Sequence, residues 1–136
     1  KLISIGRLDY MSEGLILLTN NGDYSRYLEL PSTNMERTYR VCVKGIIKKN
    51  DIKKINKGIS IDKIRYNKVE LVIEKEMQKY SWLIFKLREG KNREIRNICK
   101  FFSWNIVKLI RIGYGPYKLG NLKVGHIKKI KVINND

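Results

Sequence analysis

The stretch Ser4–Asp23, SIGRLDYMSEGLILLTNNGD, decides how the rest of the chain is read. Gly6 and Gly14 bracket a short loop that carries Arg7 and Asp9. Leu15 to Leu18 follow as an unbroken apolar run, stopped by Thr19-Asn20-Asn21-Gly22. A short apolar run closed by a turn cluster reads as a strand buried on both faces. An aspartate in a glycine-flanked loop is ordinarily a turn or capping residue. At the mouth of a central strand, however, loops assemble sites, and a carboxylate oriented by a cation can act as nucleophile or base. This stretch alone leaves both readings open.

Outward from it, Asp23 to Leu30 reads as a short helix with Tyr24, Tyr27 and Leu28 on one face, stopped by Pro31. Arg37 to Lys44 alternates, with Tyr39, Val41 and Val43 facing one way and Thr38, Arg40 and Cys42 the other, as a strand does. Asn50 is placed to cap a helix carrying Ile52 and Ile55, ended by Gly58. Val69 to Glu74 and Trp82 to Leu87 form a predicted antiparallel hairpin. After Gly90 the period changes, and Ile95, Ile98, Cys99 and Phe102 make the stripe of an amphipathic helix. Ile106 to Ile112 reads as a strand, Gly113 to Gly120 as an irregular loop, and the tail HIKKIKVI as a last strand. Strands interleaved with short helices and a hairpin predict one α+β domain, a mixed and mostly antiparallel sheet flanked by short helices.

With 136 residues and 43% hydrophobic composition, the chain suits one domain with a real core. Lysine and arginine number 29 against 13 acidic residues, a net charge of +16. Such a charge points to a polyanionic partner and favours a monomer, although a compositional bias toward lysine gives the same number. Two cysteines, Cys42 and Cys99, lie in separate elements, and His126 is the single histidine. A zinc site or a histidine-based triad is therefore not expected. Free cysteines suit a reducing, cytoplasmic compartment. No stretch is apolar for long enough to span a membrane.

At about 100° per residue, Arg93, Arg96 and Lys100 fall on one flank of the apolar stripe after Gly90, with Lys91 before them. Cations at a helix N-terminus oppose the macrodipole, so an anion, either a phosphate or a protein carboxylate, is expected to compensate. The plain alternative is a solvated basic face. Tyr39 likewise admits two roles: a core tyrosine with its hydroxyl at the rim, or a ring that stacks on a base.

Several motifs in one order then carry a resemblance. GRLDYMSEGLILLTNNGD resembles the GRLD…GLLLLTNDG signature of the RsuA-type ribosomal RNA pseudouridine synthases. ERTYRV resembles that family's K-x-Y-x-V strand, LREGKNREIR its EGK segment, and VKLIRIGYGPYKLGNLKVG its closing G-P block. GKNREIR followed by RIGYGP is closer to the branch acting on large-subunit, 23S-type RNA. Ser12 stands where threonine is usual, and Asn97-Ile98 follows Arg96 where a second arginine is common. The family usually carries an N-terminal S4-type RNA-binding domain and an N-K-P-x-G strand. Neither precedes the loop here, so residues 1–136 are expected to be the catalytic domain alone.

The resemblance implies isomerisation of uridine to pseudouridine within ribosomal RNA, without metal or cofactor. It places the essential aspartate at Asp9, the tyrosine that stacks on the target uracil at Tyr39, and the basic partner of the aspartate at Arg96. The remaining cations, Arg7, Lys91, Arg93, Lys100 and Arg111, would hold the flanking RNA while the base enters the pocket. A non-catalytic RNA-binding or ribosome-assembly module keeping the same fold is the competing expectation.

Overall fold

The computed structural model describes residues 1–91 and 93–133. Its centre is the strand that the alternation at Arg37 to Lys44 calls for. In chain order the strands are β1 (Ile3–Ile5), β2 (Glu13–Gly14), β3 (Leu17–Thr19), β4 (Arg37–Lys44), β5 (Ile59–Ile61) and β6 (Ile64–Tyr66). They continue with β7 (Glu70–Glu76), β8 (Ser81–Leu87), β9 (Asn105–Tyr114) and β10 (Tyr117–Lys118). The helices are α1 (Gly22–Glu29), α2 (Lys49–Lys57) and α3 (Glu94–Phe101).

The main sheet runs β10-β9-β4-β8-β7, all antiparallel, and β2 adds to β9 in parallel. It is therefore the mixed, mostly antiparallel sheet expected. The inward face of β4 and β8 (Val41, Val43, Leu83, Phe85) meets Ile55 of α2 and Ile95, Ile98 and Cys99 of α3 in one dry cluster. A second, smaller cluster joins Ile5, Leu15 and Leu28 to Tyr114 and Tyr117 at the other end of β9. The site described below lies where these two clusters meet.

Local chemistry explains the boundaries. Asn21 caps α1, its side chain accepting from Asp23 N at 3.0 Å and Tyr24 N at 3.1 Å. Gly58, at φ 94°, closes α2 as its position predicts. Asn50, however, lies inside α2, whose cap is Lys48, so the helix begins earlier than expected and without a side-chain cap. The β5–β6 hairpin turns on Asp62 and Lys63, at φ 50° and 68°, the left-handed pair of a tight hairpin turn without glycine. No glycine marks it in the sequence.

Three further expectations are corrected. The Leu15–Leu18 run is not buried on both faces: Ile16 and Leu18 are exposed. The reason is its pairing, since β3 bonds only β1 in a two-stranded sheet and covers the second cluster with one side. Gly113 to Gly120 is not an irregular loop throughout. Gly113 and Tyr114 extend β9, and a turn at Gly115-Pro116 returns the chain as β10. The tail HIKKIKVI forms no strand over residues 126–133, where it runs exposed and unpaired with any sheet.

Candidate active site

The loop before β2 is held at both ends. At Gly14, φ is 112°, and an added Cβ would lie 2.2 Å from Arg111 O, so only glycine lets β2 approach β9 this closely. Leu15 N then donates to Arg111 O at 2.8 Å, while Arg111 Nε and Nη2 both donate to Leu15 O, at 3.0 and 2.7 Å. At the other end Gly6 N donates to the Glu29 carboxylate, and Ser12 N closes a turn onto Asp9 O at 3.0 Å. Asp9 is thereby presented from a pinned loop, its side chain 43% exposed.

Facing it is Arg96 of α3, with Nε 3.5 Å from Asp9 Oδ2 and Nη2 donating to Ser12 Oγ at 3.3 Å. The arginine side chain is only 15% exposed, so the pair is less screened than a surface salt bridge. Its Nε makes an ionic contact with the carboxylate but no hydrogen bond. Tyr39 borders the same cleft, an open space of about 660 Å³. Tyr39 sits where β4 and β9 shift register between Thr38 and Tyr39. The extra residue is Ile112 of β9, so β4 keeps its regular pairing with β8, and Tyr39 stays with Val41 and Val43, packed against the first cluster. Asp9, Tyr39 and Arg96 therefore meet from three elements.

The expected phosphate-binding cations divide. Arg7, Lys91 and Arg93 line the cleft. Lys91 is partly committed, its Nζ donating to Arg65 O and lying 3.4 Å from Glu89 Oε2. Lys100 is exposed and does not line the cleft. Arg111 also lines the cleft, but it is 2% exposed and its guanidinium donates twice to Leu15 O, tying the loop to β9. The charge that the α3 N-terminus called for comes from two carboxylates, Asp9 against Arg96 and Glu89 against Lys91.

Two residues escape sequence reasoning. Arg37 lines the cleft, its guanidinium over the Tyr114 ring at 5.1 Å and Nη2 3.4 Å from Tyr114 Oη. The ERTYRV strand held the signal, since Arg37 is two residues from Tyr39 and so on its face. Glu94 also lines the cleft and is 3% exposed. Burial first, then the charge of Glu89, push its carboxyl up to about 8. Cys99 is no competing nucleophile, because burial pushes its thiol up to about 12.

One carboxylate on a pinned loop, a buried arginine beside it and an aromatic ring at the rim make a site for chemistry on a ringed, anionic substrate. The fold agrees: a solved pseudouridylate synthase superposes with a TM-score of 0.76 at 26% identity, covering 88% of this chain and 51% of that one. The chain matches the RNA pseudouridylate synthase family over residues 1–101, and it belongs to that family. A Rickettsia felis protein described as an uncharacterized RNA pseudouridine synthase is 48% identical over 132 residues, covering 96% of this chain and 56% of its own. Ribosomal large subunit pseudouridine synthase B of Bacillus subtilis is 31% identical over 132 residues, covering 96% and 54%. The chain thus spans about half the length of the curated relatives it matches.

Proposed function

We propose that this protein isomerises a uridine of large-subunit ribosomal RNA to pseudouridine, with Asp9 as its catalytic carboxylate. The observation that carries the reading is the 3.5 Å pairing of Asp9 with Arg96 in a cleft that Tyr39 also borders. The RNA assignment draws support from the Bacillus subtilis protein and from the Buchnera aphidicola one of the same description, 38% identical over 126 residues.

The reaction breaks the N1–C1′ bond of uridine, turns the uracil, and joins C5 to C1′. A proton leaves C5 and one is gained at N1, so no atom and no electron is lost. Arg96 orients the Asp9 carboxylate toward the ribose, where it attacks C1′ or removes a sugar proton in an elimination route. Both routes begin from the same carboxylate. Tyr39 stacks on the uracil that has left its helix and takes the C5 proton through its hydroxyl. Arg7, Arg37 and Arg93 hold the phosphates on either side.

The test is a pseudouridine map of ribosomal RNA from cells with and without the gene. One position should lose its pseudouridine on deletion and regain it with the wild-type gene but not with Asp9→Asn. Restoration by Asp9→Asn would refute the role of Asp9. An unchanged map, with the protein still bound to ribosomal RNA, would make it a binding module instead.

A further inference from the structure

Asp9 and Ser12 are the two ends of one tight turn, closed by Ser12 N donating to Asp9 O at 3.0 Å. Both side chains face Arg96 of α3: the Asp9 carboxylate lies 3.5 Å from Nε, and Ser12 Oγ accepts from Nη2 at 3.3 Å. The ends of the turn are thus tied to the helix, and both line the cleft. Its corners, Tyr10 and Met11, do not line the cleft. They stand in solvent, 96% and 68% exposed.

Turn corners are ordinarily glycine, proline, asparagine, aspartate or serine, each for a conformational reason. Neither corner here has a positive φ, so a small polar residue would serve the backbone as well. A tyrosine and a methionine side by side at this tip pack into neither core cluster. Among the described residues, the next most exposed aromatic ring is Phe101, at 54%. Tyr10 also follows Asp9 directly, its Cα about 3.8 Å from that of the aspartate.

A nucleotide that leaves its helix leaves a gap, and the lost stacking opposes its departure. Apolar side chains inserted between bases offset such losses in proteins that open a duplex. We infer that Tyr10 is a wedge of this kind: as the uridine enters the cleft toward Asp9, the Tyr10 ring takes the vacated place and stacks on a neighbouring base. Met11 extends the apolar tip beside it. Because the ring stands outside the cleft, it does not compete with the uracil for the space beside Tyr39. The turn is fixed at both ends, so insertion orders little backbone. Arg7 and Arg93 line the same cleft and supply cations for the backbone of the opened strand.

The inference rests on the proposed reaction, because only an extruded base leaves a gap, so the pseudouridine map comes first. An unchanged map removes the reaction and the wedge together. With the modified uridine located, p-benzoylphenylalanine in place of Tyr10 is irradiated in the full chain on unmodified ribosomal RNA. The same group in place of Phe101, at the far end of α3, is the control. The Tyr10 position should crosslink to a nucleotide adjoining that uridine, and the Phe101 position should not. No crosslink to RNA, crosslinks elsewhere in the RNA or to a protein alone, or equal crosslinking from both positions removes the wedge while the reaction stands.

Kinetics supply a second arm. Tyr10→Ala should leave the melting temperature unchanged, since the side chain packs on almost nothing. On a fragment in which the uridine faces adenine, it should lower kcat/KM about tenfold, as for one lost stacking contact. Tyr10→Phe should keep wild-type turnover, because only the ring is used. Where the uridine faces a second uridine, extrusion is less costly and the Tyr10→Ala loss should shrink. An equal loss on both fragments would make Tyr10 a plain contact and overturn the inference.

Discussion

At the scale of single residues, the site separates orientation from chemistry. Asp9 remains open to the cleft while Arg96, mostly buried, supplies direction and charge. Asp9→Asn removes the proposed reacting group while the loop keeps its pins at Gly6 and Gly14. Turnover should fall on the order of a thousandfold or more, with RNA affinity nearly unchanged, as single-turnover kinetics and filter binding can measure. Tyr39 combines a ring and a hydroxyl, which a single variant can divide. Tyr39→Phe keeps the ring and loses the proposed proton acceptor, so kcat should drop about a hundredfold or more while KM stays close to wild type. A larger effect on KM than on kcat would assign the hydroxyl to binding.

At the scale of elements, the loop works because β2 is laid against β9 without a side chain between them. Gly14 makes that approach possible, and the Leu15–Arg111 clasp holds it. Gly14→Ala would place a methyl group 2.2 Å from Arg111 O at a φ of 112°. Backbone strain alone is expected to cost about 1–3 kcal/mol, read from the urea midpoint, before any cost of separating the strands. Because Asp9 hangs from the same loop, turnover should fall by more than stability explains. On the other wall β4 keeps its regular pairing with β8, and Tyr39 both packs against the first cluster and lines the cleft.

At the scale of the whole molecule, charge and burial act through solvent conditions. The net charge of +16 is spread widely, and among the described residues Arg7, Arg37, Lys91 and Arg93 line the cleft as the proposed phosphate contacts. About four such contacts predict that RNA affinity falls roughly 50-fold between about 50 and about 200 mM salt, through counterion release. A flat response in a salt titration would move the RNA off this face. Glu94 adds a pH term. Its carboxyl lies at about 8 in the folded chain against an ordinary 4.5, so the folded state binds the proton more tightly. The stability it contributes is complete below about pH 4.5 and is lost as pH rises through about 8. Glu94→Gln should flatten that part of the stability curve, measured by denaturation across pH.

What the sequence determined by itself is local. The alternation at Arg37–Lys44, the Ile95/Ile98/Cys99 stripe and the hairpin of β7 and β8 follow from backbone sterics and hydrophobic period, which neighbouring residues set. The ordered motifs around Asp9, Tyr39 and Arg96 were equally legible as residues. That these three meet in one cleft is a tertiary fact. So are the burial of Arg111 and Glu94, the entry of Arg37, and the failure of the tail to pair. The physical reason is that a polar side chain takes its role from whatever lies opposite. For Arg111 that is a carbonyl 96 residues away, and for Glu94 a second carboxylate on the loop before α3. No periodicity encodes such partners; the packing of β9 against β2 and of α3 against the β5–β6 hairpin chooses them.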